Sequence, residues 1–158
     1  MSPHPARALA GPPAILLTLL LCLPWAIPAR AAPSASPVGV WATEGEKSHV
    51  QIEACGDTLC GSIIWLKEPL TDQGKEKTDI NNPDPALRER KILGLALLSG
   101  FVPEKDDPNM WDQGKIYNPE DGKTYSCKLT IVDGKTMKVR GYVGMPLLGK
   151  TQVWTRVE

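Results

Sequence analysis

The chain offers few residues that could do chemistry. Its cysteines are Cys22, Cys55, Cys60 and Cys127, and its histidines are His4 and His49. Cys55 and Cys60 flank Gly56-Asp57-Thr58-Leu59, a hairpin loop by composition. Opposed hairpin positions hold Cα atoms about 4.5–5.5 Å apart, within reach of a disulfide, so this pair is predicted to be a structural bridge. The spacing is not the Cys-x-x-Cys of low-pKa redox thiols. Cys127 shares a strand face with Tyr125, Leu129 and Ile131 and reads as a small buried hydrophobe. A thiol nucleophile needs a base, and His49 is the sole histidine beyond the N-terminal segment. The same scarcity argues against zinc, which takes three or four ligands. Ser48 and His49 are neighbours on a strand and point to opposite faces, so they form no triad. Asp106-Asp107 and Glu120-Asp121 are adjacent acids in turns, whereas glycoside hydrolysis needs two opposed carboxylates. Asn81-Asn82-Pro83-Asp84 is oxygen-rich but lacks the spaced carboxylates of a calcium loop; a turn and a helix cap account for it. The reading is therefore non-enzymatic, with no catalytic residue, metal or cofactor assigned.

Binding chemistry is better supplied. Small-molecule pockets are mostly apolar with a few fixed polar groups. Trp65, Tyr117, Tyr125, Arg140, Gln152 and Trp154 offer that mixture and are the candidate ligand-lining residues.

Composition narrows the remaining classes. The chain has 158 residues with 18 basic and 18 acidic side chains, and a balanced charge argues against a nucleic-acid surface. Hydrophobic residues make up 42% and charged residues 23%, which does not fit intrinsic disorder. With one Phe among the aromatics, the core must be built mainly of Val, Ile, Leu and Trp.

The N-terminus reads as an address. His4 and Arg7 precede an apolar run from Ala14 to Leu23, and Ala29-Arg30-Ala31 is an A-x-A cleavage pattern. That order describes a secretory signal peptide over residues 1–31. The run is shorter than the ~20 residues that span a bilayer, and no later segment could span one. A periplasmic or secreted location is expected, where disulfides persist. Residues 32–37 form an Ala-, Pro- and Ser-rich flexible lead-in, and 38–158 the domain.

Within that domain, alternation predicts strands. In Lys47–Cys55, Val50, Ile52 and Ala54 oppose His49, Gln51 and Glu53. Cys60–Leu66 is rich in β-formers. In Lys123–Val132, Tyr125, Cys127, Leu129 and Ile131 share a face, and Asp133-Gly134 marks a tight turn. Thr136–Val143 returns with Met137, Val139 and Val143 inward and Lys138, Arg140 and Tyr142 opposite; Thr151–Val157 is the last strand. Weaker strands fall at Gly39–Thr43, near Leu97–Val102 and at Met110–Tyr117. One short helix is expected after Asp84, which can cap it, with Pro85 at its first position. Lys67–Asp84 is a polar loop, and the apolar segment Ile92–Leu98 is either a plug at a barrel mouth or ordinary core.

About eight short strands joined by turns point to an all-β, up-and-down antiparallel barrel. In such a barrel the first and last strands are neighbours. Trp41 from Gly39-Val40-Trp41 and Arg156 from Trp154-Thr155-Arg156 then stack at the closed end, a structural cation–π pair. This Gly-x-Trp with a late Arg resembles the lipocalin (calycin-like) pattern.

A wider set of segments carries a more specific resemblance: Gly39-Val40-Trp41, Cys55–Gly61, Thr78–Asp84, Ile116–Tyr125 and Leu148–Arg156. In this combination and order, the chain resembles the domain of unknown function 2147 family of secreted bacterial proteins from Gly39 to Glu158. The resemblance implies a lipocalin-like barrel in an exported protein and implies no activity. Two functions compete on this reading. One is non-covalent binding of a small lipophilic or amphipathic molecule. The other is a protein-binding module with a filled barrel, an inhibitor of an envelope hydrolase or an envelope assembly partner, whose contacts Lys67–Asp84 would carry.

Overall fold

The computed structural model describes Met1 and residues 36–157. The barrel lies in the compact unit Ala31–Glu158, and of the unit Met1–Arg30 only Met1 is described. The expected signal segment, and the lead-in apart from its last two residues, therefore lie outside the described residues.

Eight antiparallel strands close into a barrel in chain order. They are β1 (Gly39–Ala42), β2 (Ser48–Cys55), β3 (Thr58–Leu66), β4 (Ala96–Pro103), β5 (Met110–Asn118), β6 (Lys123–Ile131), β7 (Thr136–Tyr142) and β8 (Lys150–Arg156). β8 returns to β1 with Trp41 opposite Arg156 and Ala42 opposite Thr155. Closure leaves no exposed sheet edge. The expected helix is a single 3₁₀ turn, Pro85–Leu87, whose Ala86 N–H donates to the Asp84 carboxylate at 3.0 Å. Two further 3₁₀ turns, Glu44–Glu46 and Pro146–Leu148, have no helical period in sequence because each is one turn long.

Alternation holds where a strand has neighbours on both sides. Val50 and Ile52 are buried in β2, Cys127, Leu129 and Ile131 in β6, and Met137 and Val139 in β7. It fails at strand ends. Ala54 is exposed because the β2–β3 hairpin runs past β1, whose first pairing is Gly39 with Ile52. Val143 lies beyond the end of β7 and is exposed.

The half of the barrel toward the Trp41–Arg156 end is filled. Trp41, Val50, Ile52, Phe101, Leu129 and Met137 are sealed from solvent there. Gly114 belongs to this packing: a Cβ at that position would overlap the Phe101 ring. The β2–β3 hairpin is tighter than its composition suggests, since Thr58 already pairs with Cys55. The Cys55–Cys60 disulfide therefore crosses the ladder diagonally, with Cα atoms 5.8 Å apart.

Candidate functional site

The other end of the barrel opens into a cleft above the packed core. The cavity, of about 980 Å³, lies between the β1–β2, β3–β4 and β5–β6 connections and the start of β8. Its apolar floor is formed by inward positions of five strands, Ile63 (β3), Leu97 (β4), Ile116 (β5), Val139 (β7) and Trp154 (β8), of which Ile116 is partly exposed and the other four are buried. Ile92 adds to it from the long β3–β4 connection, where the Gly94 N–H donates to the Ile63 carbonyl at 2.7 Å and the Ile63 N–H to the Leu95 carbonyl at 3.0 Å. The segment Ile92–Leu98 is thus wall and core, not a plug: Ile92, Leu95, Leu97 and Leu98 are buried.

Four of the six candidate ligand-lining residues meet at this cavity: Tyr117, Tyr125, Gln152 and Trp154. The Trp154 indole N–H donates to the Gln152 side-chain oxygen at 3.0 Å. The Gln152 amide nitrogen donates to no other described residue and is free to meet a guest. The Tyr125 hydroxyl donates to Asp121 at 2.6 Å.

Trp65 and Arg140 do not line the cavity, which corrects the sequence expectation for both. β3 carries a bulge: His49 pairs with Trp65 while the next residue, Val50, pairs with Ile63. The extra residue, Ile64, turns Trp65 outward, where its ring stacks on His49 with centroids 4.4 Å apart. Arg140 points outward from β7. Its guanidinium donates to the Pro146 carbonyl at 2.7 Å, the Leu147 carbonyl at 3.0 Å and the Thr151 hydroxyl at 2.7 Å. It is a clamp on the β7–β8 turn.

The mouth is organised by residues that local pattern did not reveal. Asp79, fully buried in the β3–β4 connection, accepts from the Tyr117 hydroxyl at 2.7 Å, the Asn82 amide at 2.7 Å and Arg90 through Nε at 2.8 Å and NH2 at 2.7 Å. Burial pushes its carboxyl up, but these three donors and the Arg90 charge outweigh it and hold the pKa below the usual value. Burial and the adjacent carboxylate push the Tyr117 phenol up. Asn81 reaches across to the Pro119 and Glu120 carbonyls at 3.1 and 3.0 Å. Gly122 sits so close that a Cβ would overlap the Asn81 carbonyl. The segment Thr78–Asp84 is therefore more than a turn and a cap. It ties a long connection to β5 and to the β5–β6 turn, so that one side of the mouth is preformed. The signal was the presence of Thr78–Asp84 and Ile116–Tyr125 as two separate polar motifs in one chain.

Cys127 is sealed in the core and its thiol is pushed up to about 12, by burial and then by the Asp112 charge. Glu53, Cys55 and Cys60 lie close together, but the two sulfurs are bonded to each other and are not thiolate ligands. Among the described residues no helix is long and apolar enough to cross a membrane.

Comparison with known proteins agrees with this architecture. A solved structure titled as protein HP1028 from the human pathogen Helicobacter pylori, belonging to the lipocalin family, superposes with a TM-score of 0.67. The two are 27% identical, and the match covers 78% of this chain and 84% of that one. No curated protein matches the chain. A family described as an uncharacterized protein conserved in bacteria (DUF2147) matches residues 39–156. Because that match runs from the first residue of β1 to the last of β8, the chain belongs to the DUF2147 family.

Proposed function

We propose that this protein binds a small lipophilic or amphipathic molecule non-covalently in the cavity at the barrel mouth, and that it does so in the periplasm after export. The observation that carries this reading is the cavity at the barrel mouth. Its volume of about 980 Å³ lies at the upper end of the roughly 300–1,000 Å³ of small-molecule pockets. The lining is divided as an amphipathic guest requires. Trp154, Ile116, Leu97 and Val139 meet the apolar part, Gln152 offers an unpaired amide, and Lys67 and Lys150 stand at the rim. A lipocalin-family neighbour supports the same use of the fold.

We read the protein as a binder rather than an enzyme, since the Cys127 thiol is sealed and high in pKa and His49 faces outward against Trp65. Export rests on the composition of residues 1–31. The cavity at the mouth favours a small guest over an envelope-protein partner. Native mass spectrometry of the protein recovered from its own periplasm is expected to show an added mass that organic solvent removes. Protein recovered from the cytoplasm, or an empty barrel that also ignores fluorescent lipid probes, would overturn the reading.

A further inference from the structure

Most polar groups around the cavity are already spent on one another. Glu120 pairs with Lys47 at 3.3 Å and Glu68 with Lys77 at 3.4 Å. The Tyr117 hydroxyl donates to Asp79 and accepts from Asn82, and Asp121 takes the Tyr125 hydroxyl. β8 differs. Trp154, Gln152 and Lys150 all line the cavity from this strand. Alternate residues of a strand share a face, so the three stand in file over about 13 Å. Exposure rises along the file: Trp154 is buried, Gln152 half-buried and Lys150 exposed at the rim.

The direction of the Gln152 amide is fixed. An indole N–H can only donate, and Trp154 donates to the Gln152 side-chain oxygen at 3.0 Å. The oxygen is therefore held toward Trp154, and the NH₂, a donor only, is left for the cavity. Lys150 carries a second donor-only group, and its ammonium has no ion pair or hydrogen bond among the described residues.

The surrounding charge agrees. No acidic residue occurs on β7, on β8 or in the turn between them. Of the acids that line the cavity, Glu44 lies on a turn that packs beside β8. That side of the rim also carries Lys47 and Lys67, joined by the Lys67 N–H to the Lys47 carbonyl at 2.9 Å. Two donors in file with no acceptor between them suit a group that only accepts hydrogen bonds, which is an anion.

We propose that the guest is an anionic amphiphile. Its carboxylate or phosphate head is held at the rim by the Gln152 NH₂ and the Lys150 ammonium, and its alkyl chain lies on the apolar floor from Trp154 to Ile116. This rests on the cavity reading and adds to it the charge of the guest and the direction in which it lies.

The test is displacement of a neutral polarity-sensitive probe by four ligands of one chain length: dodecanoate, dodecyl phosphate, dodecanol and dodecylammonium. All are used at neutral pH and below their micellar concentrations. At least one anion should displace the probe at about tenfold or more lower concentration than the alcohol. The ammonium compound should do no better than the alcohol, and the tighter anion names the head group. Lys150→Gln should bring the anions close to the alcohol and leave the alcohol unchanged. Gln152→Glu keeps an acceptor for the Trp154 indole but turns a negative charge on the guest, so it should also abolish the anions' advantage. Lys150 is exposed, so its variant should keep the wild-type melting temperature and carries the test even if Gln152→Glu does not fold. Wild type that binds anions and alcohol equally, or prefers the ammonium compound, overturns the proposal and leaves the cavity reading standing. So does a Lys150→Gln variant in which the anions keep their full advantage. A probe that never binds wild type removes the cavity reading and the proposal with it.

Discussion

Arg156 lies over the indole of Trp41, its guanidinium carbon 4.3 Å from the ring centroid. The two residues are also opposite one another in the β1–β8 ladder. The same guanidinium donates to the Gly134 carbonyl at 3.0 Å, the Val38 carbonyl at 2.9 Å and the Ser36 carbonyl. One side chain thus joins the first strand, the last strand and the β6–β7 turn. The Trp41 indole N–H donates to the Pro37 carbonyl at 2.7 Å and fixes the entry to β1. Arg156→Ala should lower unfolding free energy by about 2–3 kcal/mol, from the lost cation–π contact and charge-assisted hydrogen bonds. Arg156→Lys keeps the charge but not the planar fork, and should recover less than half of that. Urea denaturation measures both.

Asp79 ties the mouth connection to β5, and its ionisation gives that tie a pH window. Its folded pKa is depressed, so its contribution is present above the unfolded carboxylate value, about 4. It is lost as pH falls through the lower folded value. Tyr117 has a raised pKa, so its contribution is present below about pH 10 and lost as pH rises through the folded value. Asp79→Asn should cost about 2–3 kcal/mol at neutral pH, since Arg90 loses its ion pair. The difference in melting temperature between wild type and Asp79→Asn should be flat between pH 5 and 9, as a plateau of about that width follows from the two pKa values. It should shrink in acid.

The Cys55–Cys60 bridge closes a very short loop at the filled end of the barrel. Its removal by Cys55→Ser/Cys60→Ser should cost at most about 2 kcal/mol, read from urea denaturation. Probe binding at the opposite end should be unchanged. Cys127 should resist thiol reagents in the folded protein and react on unfolding, since its thiolate is disfavoured by burial.

The barrel and its closure were legible because the physics is local. Strict alternation marked the inner faces of β2, β6 and β7, where one face is buried and the other wet. Trp41 and Arg156 were readable because closure must bring the chain's first and last strands together. Trp65 was misplaced because a bulge shifts register without leaving a mark in residue type. Arg140 stood on the polar face of its strand from the outset, and its work turned out to be internal. The Asp79 knot stayed hidden because its partner Tyr117 is 38 residues away, beyond any local pattern. The cavity at the mouth could not be read at all, since its volume depends on how strands and connections face one another.

The cavity is the claim on which the functional reading depends, and Gly141 tests it most directly. It lines the cavity from β7, and a Cβ there would meet Ile116 at 3.6 Å, an ordinary contact. Gly141→Leu should therefore fill the cavity while the barrel stays folded. Titration of wild type and Gly141→Leu with a fluorescent fatty-acid probe is the decisive measurement. Saturable binding by wild type, weakened about tenfold or more in a variant with an unchanged melting temperature, is expected from the lost guest volume. Equal binding by the two proteins, or no binding by wild type, would contradict a guest in the barrel mouth.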